Sequence, residues 1–164
     1  MLRPLTPADA AIYRRNRLRA RKDEPQAFGA DYAEEARKPL DFFIRRLSPG
    51  ADWLTLGYWE LDDLIASGIL MRQEKKKCRH KASIFGVYVS PHARGRGLSR
   101  ILMNGLMEQA GAMGVSHLYL TVTAENEAAK GLYESLGFEA YGREPAALKV
   151  GDRLIDEVLM AKVL

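Results

Sequence analysis

The stretch Val87-Tyr88-Val89-Ser90-Pro91-His92-Ala93-Arg94-Gly95-Arg96-Gly97-Leu98-Ser99-Arg100 constrains the fold more than any other part of the chain. It sets an apolar strand, a turn of small residues and a helix start in immediate succession. A helix N-terminus leaves about four backbone N–H groups without partners and carries roughly half a positive charge. Glycines at 95 and 97 let an anion reach such groups with no Cβ in the way, and Arg94, Arg96 and Arg100 add charge. Alone, the segment predicts a phosphate-type anion site; a glycine-rich connection that binds nothing is the alternative. Two known phosphate patterns are excluded. No Gly-Lys-Ser/Thr occurs, and Arg100 stands where a dinucleotide fold needs its third glycine.

With 164 residues, 47% hydrophobic and 28% charged, the chain reads as one globular domain spanning 1–164. One cysteine excludes a disulfide framework and offers too few thiolates for structural zinc. Apolar runs are too short to cross a membrane, and Met1-Leu2-Arg3-Pro4 lacks a signal peptide's apolar stretch, so a cytoplasmic protein is expected. The net charge of +4 sits in residues 1–50, which hold 11 Lys+Arg against 7 Asp+Glu; the remainder is balanced. Clusters at Arg14–Lys22 and Arg72–Lys81 leave nucleic acid and an anionic cofactor both open as partners.

The remaining pattern is α/β. Thr6 as N-cap and Pro7 at the first position open a helix to about Lys22, its arginines expected to be largely solvated. Asp23–Lys38 reads as a loop, and Pro39 opens a helix with Leu40, Phe43, Ile44 and Leu47 at helical spacing, stopped by Ser48-Pro49-Gly50. Strands follow at 53–59, 64–71 and 82–89, the first two joined through Asp62-Asp63. A helix from about Gly97 to Met113 is expected to bury Leu98, Ile101, Leu102 and Leu106, with Gly114 at its end. Leu118, Leu120 and Val122 alternate as a strand; Ala128, Ala129, Leu132, Tyr133 and Leu136 form a helix face ended by Gly137. Strands 138–148 and 153–163 close the chain around Val150-Gly151-Asp152.

Arg94-Gly95-Arg96-Gly97-Leu98-Ser99 resembles the [Q/R]-x-x-G-x-[G/A] turn of the GNAT superfamily of acyl-CoA-dependent N-acyltransferases, with Ser99 replacing the last Gly/Ala. Downstream, Asn126-Glu127-Ala128-Ala129-Lys130-Gly131-Leu132-Tyr133-Glu134-Ser135-Leu136-Gly137-Phe138 is similar to the family's N-x-x-A-x-x-x-Y-x-x-x-G-F block. The element order agrees along the whole chain. The resemblance implies a mixed, mostly antiparallel central sheet flanked by about four helices, acetyl-CoA as cosubstrate, and no metal. It implies that Arg94, Gly95, Arg96, Gly97, Leu98 and Ser99 cradle the pyrophosphate. Val87 and Val89 would offer strand backbone to the pantetheine arm, and Asn126 would contact that arm or cap its helix. Tyr133 would serve as donor to the departing thiolate, its alternative being a core aromatic; Lys130 would reach a phosphate or remain solvated. Dimers are common in such a family.

The implied reaction carries acetyl from acetyl-CoA to a primary amine, of a small molecule or a peptide, by direct attack. An ammonium of pKa ~10.4 is neutral in about one molecule per few thousand at pH 7, so a base is needed. Strand 82–89 holds no carboxylate, Glu74 stands at the end of the preceding strand, at a distance from the reaction, and Asp31, Glu34 and Glu35 either attract the amine and relay its proton or form a solvated acidic loop. No base is assigned. Cys78 between Lys77 and Arg79 is a candidate low-pKa thiol or an incidental one; His80, His92 and His117 lack metal-ligand spacing. The rival readings are a CoA-binding sensor without catalysis and a basic nucleic-acid-binding domain, which the lack of aromatics among the basic residues disfavours.

Overall fold

The computed structural model describes residues 1–48, 50 and 52–164. Its strands are β1 (Leu2–Pro4), β2 (Trp53–Glu60), β3 (Asp63–Arg72), β4 (Lys81–Val89), β5 (His117–Thr123), β6 (Glu139–Val150) and β7 (Arg153–Val163). They form one sheet in the order β1-β2-β3-β4-β5-β7-β6. Only β4 and β5 run parallel; every other pair is antiparallel. The mixed, mostly antiparallel sheet is as the resemblance implies, with five α-helices around it.

The helices are α1 (Ala10–Asp23), α2 (Tyr32–Ala36), α3 (Leu40–Arg46), α4 (Leu98–Ala112) and α5 (Glu127–Ser135). The unexpected one, α2, forms inside the segment read as a loop. Asp31 caps it, its carboxylate accepting from the N–H groups of Ala33 at 2.8 Å and Glu34 at 3.2 Å. Thr6 and Pro7 start a 3₁₀ turn over Pro7–Asp9 that leads into α1. Of the stop after α3, Pro49 lies outside the described residues.

Two cores sandwich the sheet. On one face α4 lays Leu98, Leu102 and Leu106 against Leu56, Ile65, Leu70 and Ile84. Ile101, expected inside, is exposed; at 3.6 residues per turn it stands about 100° round the helix from the middle of that row. On the other face Tyr13 of α1 and Phe43 of α3 pack with Leu5, Leu47, Trp59 and Leu64. The expectation of solvated α1 arginines fails here: Arg17 and Arg21 are 7% and 5% exposed. They lie on the buried side of α1, with Tyr13 one turn before Arg17 and Arg21 one turn after it. The β2–β3 turn is Leu61-Asp62, one residue earlier than expected, with Leu61 at φ +53°.

The feature that positions the site is a parting of strands. β4 pairs β5 only at Lys81↔His117, Ala82↔Leu118 and Ser83↔Tyr119. Beyond Ser83 this edge of β4 has no strand partner among the described residues, while β5 continues alongside β7 to Thr123. A bulge in β4 accompanies the divergence: Gly86 sits at φ +63°, and the β3–β4 register shifts between Ser67 and Ile69. The sheet splits into a wedge.

Candidate active site

A cavity of about 710 Å³ runs through the wedge. One end is walled by Arg94, Ser99, Asn126, Ala129, Leu132 and Tyr133 from the β4–α4 turn, α4 and α5. The other is walled by Arg17, Arg21, Phe28, Glu35, Lys38 and Arg46 from α1, α2, α3 and the segments between them. Ile84–Val89 of β4, Leu120–Thr123 of β5 and Glu157 of β7 line the passage between them.

At the first end, Gly95 and Gly97 both adopt φ +74°, a conformation that a Cβ penalises, so the two glycines are required by the turn itself. Among the described residues, none of the six backbone N–H groups from Gly95 to Arg100 donates within the chain. That row, ending on the first turn of a 15-residue helix, is an anion cradle. Arg94 donates through Nε to the Val89 carbonyl at 3.1 Å and pairs with Glu24 at 2.5 Å. Ser90 donates its N–H to Ile65 of β3, so strand alternation turns the Val89 peptide groups, and those of Val87, to the open edge.

Val87, Val89, Arg94, Ser99, Asn126 and Tyr133 thus come together on one wall, while Gly95, Arg96, Gly97 and Leu98 shape the turn beside it. The Leu98 side chain is in the core, leaving its N–H for the cradle. Arg96 pairs with Glu60 at 2.6 Å, and Arg100 donates to the Ser135 hydroxyl at 2.8 Å. Asn126 caps α5, its Oδ1 accepting from Ala129 N–H at 3.1 Å, and also faces the cavity. Lys130 pairs with Glu127 at 2.7 Å. Burial pushes the Tyr133 hydroxyl up to about 12, and it has no hydrogen-bond partner among the described residues.

The second end inverts the acidic expectation for residues 31–35. Asp31 serves as a cap, Glu34 is exposed, and Glu35 is fully buried among cations. Arg17 pairs with it through Nε, Lys38 lies at 3.2 Å and Arg21 at 3.9 Å. Burial works to raise the Glu35 carboxyl, and the Arg17 and Lys38 hydrogen bonds with the neighbouring arginine charges outweigh it, holding the pKa below the usual range. Burial, then the Arg17 charge, lowers Arg21 to about 10, still protonated at neutral pH.

Sequence reasoning missed Glu157. Of the three carboxylates on the cavity wall, Glu24 is held by Arg94 and Glu35 by Arg17, whereas Glu157 has no ion-pair partner among the described residues. Burial, then Glu144 opposite it on β6, raises its pKa. Only the register of the two closing strands brings it to the wedge, and no local motif announces that. Glu74 is not on the wall, Cys78 lies in a 3₁₀ turn over Lys76–Cys78, and the His80 and His117 rings meet edge to face at 5.5 Å. Among the described residues, no three His, Cys, Asp or Glu gather as metal donors, and no helix is long and apolar enough to cross a membrane.

The family profile described as "Acetyltransferase (GNAT) family" matches residues 16–138. The chain belongs to the GNAT acetyltransferase family. Among curated relatives, a [ribosomal protein bS18]-alanine N-acetyltransferase of Haemophilus ducreyi is 35% identical over 89 residues, 54% of this chain and 58% of that one. Its Salmonella typhimurium counterpart is 45% identical over 58 residues, 35% of this chain and 39% of that one. The chain therefore spans about half the length of the curated relatives it matches. In fold, a GNAT acetyltransferase of Streptococcus pneumoniae superposes with TM-score 0.84 at 24% identity, covering 100% and 99% of the two chains. The yncA protein of Salmonella typhimurium, solved with its cofactor acetyl-CoA, gives 0.83 at 22%, covering 100% and 93%.

Proposed function

We propose that this protein, acting as a single cytoplasmic domain, transfers acetyl from acetyl-CoA to a primary amine by direct attack. One observation carries the reading: the unpaired edge of β4, Tyr133 and Glu157 border one cavity, which the free N–H row reaches at Ser99. These residues fit the cofactor. A pyrophosphate suits the Gly95–Arg100 cradle beside Arg94, and amides of an extended arm suit the Val87 and Val89 edge. When bound, acetyl-CoA supplies an activated acyl group on a thioester.

The residues then divide the work. Glu157, directly or through water, accepts a proton from the acceptor ammonium, a handicap of roughly 4–5 kcal/mol at pH 7. The Val89 N–H donates to the charge that develops on the acetyl oxygen. The amine nitrogen bonds to the carbonyl carbon as the carbon–sulfur bond breaks, and the sulfur leaves with its electron pair. Tyr133 donates a hydrogen bond to that sulfur. Handing over its proton outright from a pKa of about 12 to a thiolate of about 8.5 would cost roughly 5 kcal/mol, so the proton stays on the tyrosine.

A relative described as a ribosomal protein alanine N-acetyltransferase supports a peptide amine, and the cavity of about 710 Å³ also has room for a small-molecule amine. The deciding experiment titrates acetyl-CoA calorimetrically, then follows free-thiol release across an amine library. Tight acetyl-CoA binding with turnover on at least one amine is expected. Binding without turnover on any amine overturns transfer in favour of a sensor, and affinity for duplex DNA in place of acetyl-CoA overturns both.

A further inference from the structure

The α1–α3 end of the cavity holds more positive charge than the protein itself neutralises. Arg17, Arg21, Arg46 and Lys38 surround one carboxylate, Glu35, which Arg17 and Lys38 already engage. Arg21 is left at 3.9 Å from it, with one Nη donating to the Arg17 carbonyl at 3.0 Å, and Arg46 has no ion-pair or hydrogen-bond partner among the described residues. The Nε atoms of Arg21 and Arg46 are buried without acceptors. Their guanidinium groups lie instead on aromatic faces, Arg21 over Phe28 at 5.2 Å and Arg46 over Trp53 at 4.8 Å. Arg21 is buried and Arg46 half-buried; a guanidinium with unmet donors in such a wall is an unfinished ion pair, and a planar carboxylate is the group whose geometry completes it. Glu157, the wall carboxylate without an ion-pair partner among the described residues, lines the same cavity.

We infer that the acceptor is a free amino acid, its carboxylate held by Arg21 and Arg46 and its ammonium offered to Glu157. The inference rests on the acetyl-transfer reading and narrows it. The phosphates of the cofactor have their own cradle on α4, a different element at the other end of the cavity. A polyamine or aminoglycoside would set further positive charge against this wall. A protein N-terminus would bring an amine without the carboxylate that the arginines lack. In the reaction, the amino nitrogen gains the acetyl group and loses two protons, one to Glu157 and one to the departing sulfur as the carbon–sulfur bond breaks, while the carboxylate stays ionised.

The test reads binding apart from turnover. The protein, saturated with CoA, is titrated with N-acetyl-L-amino acids and with their carboxamides, and free amino acids are compared with amino-acid amides in the thiol-release assay. At least one N-acetyl amino acid is expected to bind about 30-fold tighter than its carboxamide. In Arg46→Met that preference should fall below about threefold, with acetyl-CoA affinity within about twofold of the parent. Arg46 makes no hydrogen bond or ion pair among the described residues, and methionine keeps an apolar contact for Phe42 and Trp53, so this variant is expected to fold; Arg21→Lys, which keeps the charge without the fork, should retain part of the preference. Carboxamides, polyamines or peptide N-termini that bind and react as well as the acids overturn the inference and leave acetyl transfer standing. Acids that bind selectively but are never acetylated overturn transfer and leave the anion site standing. Loss of acetyl-CoA affinity in Arg46→Met, with no selectivity for acids, assigns the cations to the cofactor and overturns the inference.

Discussion

The two ends of the cavity are built from different materials. The α4 end is made of backbone: six free N–H groups, two glycines at φ +74° and the bare edge of β4. The α1–α3 end is made of long side chains, three arginines and a lysine packed around one buried glutamate. Backbone recognition depends on conformation and tolerates changes in neighbouring side chains. A side-chain wall depends on charge balance, and one substitution alters it.

The contrast can be broken at several points. Glu157→Gln should reduce turnover about 10²- to 10⁴-fold with acetyl-CoA affinity unchanged. Because burial and Glu144 raise its pKa, and the base works deprotonated, kcat/KM should rise with pH above the ordinary carboxylate range; the variant should lack that limb. A Gln variant with the parent's profile removes Glu157 from the mechanism. Glu35→Gln should lower folding stability by about 3–5 kcal/mol in denaturant titrations, since it leaves Arg17 buried and unpaired. A loss under about 1 kcal/mol would mean that solvent reaches this wall.

Tyr133→Phe should cut turnover about 10- to 100-fold, the value of one donor to a developing anion, with acetyl-CoA affinity within about twofold. Unchanged turnover at saturating substrates would leave Tyr133 a core aromatic against Phe138. Gly97→Ala places a Cβ at φ +74° and should cost about 1–2 kcal/mol of stability together with acetyl-CoA affinity, both read by calorimetry. Smallest is Arg96→Ala, about two- to fivefold in acetyl-CoA affinity and screened by salt, because its exposed guanidinium is already paired with Glu60. A larger loss would mean that side chains as well as backbone build the cradle.

The same contrast explains what could be read from the residues alone. Gly95, Gly97, Gly114 and Gly137 announce turns because only their backbone freedom allows φ +74° to +86°, so the strand–turn–helix unit and both helix ends are visible locally. Asn126 and Tyr133 sit at fixed spacing on one helix and travel with it. The other wall has no such grammar. Arg17 and Arg21 look like a solvated basic run until Glu35, 18 residues from Arg17, folds back against them. Glu157 reaches the cavity only because β7 inserts between β5 and β6. Its role is set by strand order, which local periodicity does not encode.

The three-pair seam between β4 and β5 has a mechanical consequence. β1–β4 and β5–β7–β6 are two plates hydrogen-bonded to each other at one corner and sharing the core beneath α4, and a ligand in the wedge ties them a further time. A ligand that bridges both plates and binds only the folded protein adds about 2.7 kcal/mol of stability at a hundredfold excess over its Kd. Amide exchange should therefore slow in Ile84–Val89 and Leu120–Thr123 together when acetyl-CoA is added, although each segment belongs to a different plate.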